Sequence, residues 1–161
     1  MAETKVTGNE SKVISAFRLY GRSSATGSLL NNTWHGCKWY GVTYDEGGDT
    51  DAGNDYFTAP IAGFYWFKAM WRIETLTGGY RHLLGLWDYG NTAEYTRLVD
   101  GVYGGDNTPH WIDGSAVLRL DAGDTVHVRT YHSIGSTRTY YSADDNADTI
   151  YFQGILIGGY N

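Results

Sequence analysis

The stretch "GFYWFKAMWRI" (63–73) constrains the fold more than any other part of the chain. Side chains alternate across a strand. Tyr65, Phe67, Ala69 and Trp71 therefore share one face, and Phe64, Trp66 and Met70 share the other, interrupted only by Lys68. A strand that is apolar on both faces must be covered on both. One face can fill a core; the other must meet a ligand, a long loop or another subunit. "TIYFQGILIG" (149–158) has the same two-sided character. "TVHVRTYH" (125–132) differs. Val126 and Val128 alternate with His127, Arg129 and Tyr131, the pattern of a half-exposed antiparallel strand.

Further strands are expected at 13–20, 37–44, 80–88, 94–100 and 114–120. Between them stand "GRSSATGSLLNN", "DEGGDTDAGND", "LTGG", "YGGDNTP" and "SADDNAD", all rich in turn formers. Aromatics make up 16% of the chain, with 22 glycines and only 2 prolines, which suits many short strands rather than helices. Short strands with such breaks give an all-β sandwich or barrel. At 161 residues the chain suits one domain, here 13–161, preceded by a polar arm at 1–12.

The net charge of −6 and the lack of a basic patch argue against nucleic acid as a partner. No apolar run reaches the roughly 20 residues that span a bilayer. Cys37 is the sole cysteine, so no internal disulfide forms, and it reads as a small strand residue. The opening "MAETKVTGNESK" lacks the apolar segment of a secretory signal. The expectation is synthesis in the cytoplasm and action outside the cell, as part of a virion or surface appendage.

Four segments carry a resemblance. "AFRLYGR" (16–22), "YFTAPIAGFYWF" (56–67), "GSAVLRLDAGDTVHV" (114–128) and "YFQGILIG" (151–158) resemble, in order and spacing, the signature pieces of the globular head of complement component 1q. The resemblance implies an antiparallel jelly roll of about ten strands, shared with tumour necrosis factor, that assembles as a homotrimer. It implies that the sheet holding the strands at 13–20, 63–73 and 149–158 faces the three-fold axis. Phe64, Trp66, Met70, Tyr151 and Ile155 are then the interface candidates. The segment 74–112 matches the family poorly, and residues 1–12 show no collagen-like Gly-X-Y repeat.

The chemistry is sparse. Asp45, Glu46, Asp49, Asp51 and Asp55 crowd one glycine-rich loop, and Asp49, Asp51 and Asp55 are the candidates for a structural calcium ion. The spacing fails the helix-loop-helix calcium pattern, and a solvated turn is the favoured reading. Asp144, Asp145 and Asp148 form a second acidic run. The five histidines show no metal-binding pair, and no other cofactor is expected. Glu74 and Glu94 are the pair a glycoside hydrolase could use, but no nucleophile elbow, phosphate loop or dinucleotide motif is present. Catalysis is not expected. Aromatic rings with a polar handle are enriched in recognition surfaces, which makes Trp34, Trp87, Tyr89, Tyr103 and Trp111 the ligand-binding candidates. The leading expectation is a non-catalytic trimeric head that binds a glycan or protein. The alternatives are a structural, trimerising part of a phage particle or appendage, and, more distantly, a glycosidase.

Overall fold

The computed structural model describes residues 15–21, 26–73, 79–90, 93–103, 110–141 and 150–159. These contain strands but no helix. In chain order they form β1 (Ala16–Tyr20), β2 (Thr26–Leu29), β3 (His35–Gly36), β4 (Gly41–Asp45), β5 (Thr50–Asp51) and β6 (Tyr56–Thr58). Then follow β7 (Gly63–Ile73), β8 (Tyr80–Trp87), β9 (Glu94–Tyr103), β10 (His110–Leu120), β11 (Thr125–His132), β12 (Arg138–Tyr141) and β13 (Tyr151–Gly159). One sheet runs β10-β7-β13-β1-β4, the other β5-β6-β11-β8-β9, with β3 paired to β11. β12 and β2 form a separate two-stranded ribbon, which adds Leu29 to the core. All pairings are antiparallel, giving a jelly-roll sandwich.

β7 and β11 span the residues expected from sequence, and β8, β10 and β13 shift by a few residues at their ends. Other segments differ from expectation, with β3, β5, β6 and β12 forming strands where none is expected. Residues 26–29, read as part of a turn, pair with β12. Residues 37–40 are not strand. Cys37 there is buried, and its amide donates to the Val128 carbonyl. The arm at 1–12, Glu74 and the acidic run at Asp144, Asp145 and Asp148 lie outside the described residues.

The two-sided strand occupies the middle of the first sheet. β7 pairs with β10 on one edge and β13 on the other. Its inward residues Tyr65, Phe67, Ala69, Trp71 and Ile73 are buried. Phe67 sits in a knot of rings. Phe57, from the opposite sheet, lies 5.5 Å away, Phe152 of β13 5.7 Å and Phe17 of β1 6.3 Å. Phe17 stacks on Phe57 at 4.8 Å, which ties the sheets together. Trp71, Leu120, Val126, Val128 and Phe152 are also buried in this core. Leu118 and Leu156 are only half-buried at its edge.

Gly154 faces this knot. A Cβ there would stand 2.6 Å from Phe67 Cδ1 and 2.7 Å from Phe17 Cε1, a clash with carbons of two packed rings. Two outcomes follow for urea unfolding. Phe67→Ala lowers stability by about 3–5 kcal/mol through the cavity it leaves. Gly154→Ala lowers it by about 1–3 kcal/mol through overpacking. A loss below about 1 kcal/mol for Phe67→Ala would contradict the inward placement of β7.

Candidate functional site

The outward face of the second sheet is more covered than the alternation of β11 suggests. His127 is buried, and Arg129 and Tyr131 are half-buried. Two features cover them. The segment before and through β3 runs along the edge of β11, held by the Arg129 guanidinium donating to the Trp34 carbonyl (3.0 Å) and the Tyr131 hydroxyl donating to Asn32 Oδ1 (2.9 Å). It lays the Trp34 ring over the strand. From the other side comes Trp87 at the end of β8, paired in register with His127. Gly85, two residues earlier on the same face, has no side chain to block it. A Cβ at Gly85 would stand 3.1 Å from Trp87 Nε1.

The result is a ledge of rings and guanidinium groups. Trp34 and Trp87 are 5.1 Å apart, and Trp34 and Tyr131 5.6 Å. Arg129 lies 4.7 Å over the Trp87 ring, and Arg97 5.4 Å over Trp34. Arg97 is itself held by Glu94 (2.8 Å) and Asp100 (3.0 Å), and Arg81 also binds Asp100 (2.7 Å). Glu94, one of the two carboxylates a glycosidase reading needs, is thus engaged in an ion pair.

Beside the ledge is a cavity of about 330 Å³. Its lining includes Cys37, Lys38, Asn54, Asp55, Tyr89 and His127. Tyr89 packs between Tyr56 (4.5 Å) and His127 (5.3 Å). Asp55 takes a left-handed backbone conformation, φ 68°, which Asp tolerates better than most residues. Its buried carboxylate accepts from the Trp39 amide (2.7 Å) and from the Lys38 ammonium. Burial, and next the Asp55 charge, push the Cys37 thiol well above its ordinary range, so it is not a poised nucleophile. Burial first, and Arg129 second, hold His127 down to about 4, so its imidazole is neutral near pH 7.

The structure brings together three of the expected ligand-binding residues, Trp34, Trp87 and Tyr89, on this face. It places the other two elsewhere. Tyr103 ends β9 with its ring 4.1 Å from His110. Trp111 is in β10, paired with Arg72, whose guanidinium lies 4.8 Å from its ring, on the outward face of the first sheet. The contributions of Lys38 and His127 were missed in sequence, because they depend on pairings between distant segments.

The candidate calcium residues do not converge. Asp51 accepts from the Asn54 amide (3.0 Å) and side chain (2.8 Å) as a closed turn. Asp55 is committed to Lys38 and Trp39. Asp49 donates its amide to Asp45, and burial raises its carboxyl above the ordinary value. Among the described residues no group of three His, Cys, Asp or Glu is set to hold a metal ion. This donor set does not fit calcium.

A family model for the C1q domain matches residues 23–157. The chain belongs to the C1q domain family. Solved structures show the same fold. The globular domain of zebrafish complement 1qA is 18% identical, with a TM-score of 0.62 over 92% of this chain and 100% of that one. Eiger TNF from S. frugiperda is 13% identical, TM-score 0.64, over 92% and 95%. Murine APRIL is 12% identical, TM-score 0.62, over 90% and 100%. No curated protein matches the chain. C1q-family domains are generally non-enzymatic and usually extracellular.

Two outcomes test this description. His82, fully buried among His110 and His132, is held well below its ordinary value mainly by burial, as His127 is. Each therefore binds a proton more readily in the unfolded chain. Stability is complete above the unfolded value of about 6.5 and declines as pH falls toward the folded values. Melting temperature should drop between pH 6.5 and 4, and His82→Leu should flatten that drop. A melting temperature constant over that range would refute the burial of these imidazoles. Separately, excess chelator added to calcium-equilibrated protein should leave the melting temperature unchanged, since a ligand bound only to the folded state would have raised it.

Proposed function

We propose that this C1q domain is a non-catalytic recognition head that works as a homotrimer and binds a glycan or protein ligand through surface groups outside the trimer contact. The observation that carries the trimer is the outward face of the first sheet. Register places Val117, Trp66 and Ile155 side by side across β10, β7 and β13. Phe64 lies one row away, and Ile157 further along β13. Val117 is 53% exposed, Ile155 48% and Phe64 45%. A contiguous apolar strip of this kind marks an interaction surface.

The strip is not uniform. Tyr151, also an interface candidate, is 8% exposed, because the Arg18 guanidinium lies 4.1 Å over its ring. Across the strip runs a polar row of Ser115, Lys68, Gln153 and Arg18. Arg18 donates to Gln153 (2.7 Å), and Lys68 pairs with Asp113 (3.1 Å). Apolar rows with a polar row between them suit a contact that must fix its register as well as its area. Cyclic closure around a three-fold axis buries this strip in every copy and leaves no sticky edge.

Support also comes from the family, whose domains form trimers and bind protein ligands. Three copies repeat one weak ligand site, which raises avidity for a repetitive target. The reading places the protein outside the cell, and it serves equally a free-standing head and a head mounted on a virion or appendage.

Sedimentation equilibrium should report about 54 kDa, three times the 17.9 kDa chain. Val117→Asp, which sets a charge in the middle of the strip, should shift the protein toward 17.9 kDa while its circular dichroism stays β-rich. A wild-type monomer at micromolar concentration would sink the trimer.

A further inference from the structure

We infer that the outward face of the second sheet is a binding site for a neutral saccharide, with one sugar ring in the cavity at Tyr89 and His127 and the next on the Trp34–Trp87 ledge. The inference rests on the recognition-head reading and assigns it a site and a ligand class.

Three buried nitrogens on this one face have no hydrogen-bond partner: His127 Nε2, Trp87 Nε1 and Arg129 Nε. They are neighbours. Trp87 pairs with His127, and Arg129 is the next residue outward along β11. A lone orphan is tolerable, but three together on adjoining positions call for a ligand or water to complete them. Two are obligate donors, and the neutral imidazole can donate or accept. Beside them at the cavity wall stand the Asn54 side-chain carbonyl and the Asp55 carboxylate, whose bonds from Lys38 and Trp39 leave lone pairs to accept further. Of the three residues, His127 lines the cavity and Trp87 and Arg129 belong to the ledge, so a ligand spanning both must carry groups that donate and accept at several points along its length. Hydroxyls on a sugar ring do so.

The rings supply the second half of the match. The C–H face of a sugar is apolar and packs on an aromatic face. Tyr89 offers one such surface, 41% exposed at the cavity, and the half-buried Trp34 and Trp87 offer the next. Successive outward residues of β11, His127 to Arg129 to Tyr131, are spaced by about 7 Å, or about 14 Å in all, which accommodates two to three linked sugar rings. A cavity of about 330 Å³ is large enough for a single ring.

Charge decides against an acidic sugar. The carboxylates of Asp55, Asp88, Glu94 and Asp100 stand on or beside this face, matched by Lys38, Arg81, Arg97 and Arg129. The face is balanced, and the chain as a whole carries −6, which repels anions. The first sheet, not this one, carries the proposed trimer strip, so the site stays open in each copy.

The test is titration of the isotope-labelled wild-type protein with glucose, galactose, mannose and N-acetylglucosamine, each as free sugar and as disaccharide, with sialic acid and glucuronic acid alongside. At least one neutral sugar should shift the backbone amides of Lys38, Asn54, Asp55 and His127. Its disaccharide should bind more tightly and also shift residues of the ledge. Tyr89→Ala should weaken binding roughly five- to tenfold, the loss of one ring contact. Trp34→Ala should weaken the disaccharide but not the monosaccharide. Circular dichroism and sedimentation of both variants should match wild type. The assignment is overturned if no sugar shifts these amides, or if an acidic sugar binds in preference to all neutral ones. It is also overturned if binding survives both substitutions. That last result would leave a sugar-binding head with its contacts elsewhere, and none of these results alters the trimer mass.

Discussion

Everything in this molecule is arranged around β7, a strand hydrogen-bonded along both edges and apolar on both faces. Its pairing with β10 and β13 satisfies the backbone, which an eleven-residue strand buried in a sandwich cannot leave unpaired. Its inward residues set the aromatic core, and Phe17 and Phe57 join that core across the two sheets. Its position in register then dictates which side chains stand next to Trp66 and Phe64 on the outside. A slip of one residue would exchange the two faces. The knot at Phe67, with Gly154 leaving no space for a Cβ, prevents that slip.

The second sheet solves a different problem. Its central strand β11 has polar outward residues, yet they are largely removed from water by Trp34 and Trp87 folding over them from two directions. Covering a His and an Arg with indole rings is costly unless each polar atom is paired. Some are: Arg129 reaches the Trp34 carbonyl, and Tyr131 reaches Asn32. Others on the same face are not. A surface that spends stability in this way is preorganised, with its rings already held at fixed spacing by guanidinium groups and a second indole.

The strands with strong period-two patterns were legible in sequence. Residues 63–73 match their observed limits because a continuous aromatic and apolar run starts there at a glycine, and residues 125–132 because valines alternate with polar residues after Asp124. β2 and β12 were not, because "TGSL" and "RTYY" carry no apolar alternation and gain strand geometry only by pairing with each other. The face of β11 was misread for a related reason. Local alternation reports which residues avoid the core, and it is silent on what a loop a hundred residues earlier lays over them. The candidate site was legible as residue types, since Trp34, Trp87 and Tyr89 stood out as rings near turns. Their convergence was not, nor was the place of Trp111 on the opposite sheet or of Tyr103 against His110. The acidic loop shows the converse. Its aspartates looked like a shared donor set because they are close in sequence, but Asp45 and Asp51 close on their own turns and Asp55 reaches away to Lys38 and Trp39.

The division between the two outer faces follows from how each treats its polar groups. On the first sheet the exposed apolar residues are continuous across three strands, and the polar row among them is internally satisfied, Arg18 with Gln153 and Lys68 with Asp113. Such a face gains by excluding water over a wide area and demands little directional bonding, which is what a copy of the same chain supplies. On the second sheet the rings are interrupted by charges that neutralise one another, and the unmet demand is for hydrogen bonds at a few fixed points. Such a face gains little from a broad apolar partner and more from a compact one dense in hydroxyls. One sandwich can therefore serve both proposed roles without conflict, because the inward residues of β7 and of β11 meet in a single aromatic core while their outward residues form two separate faces.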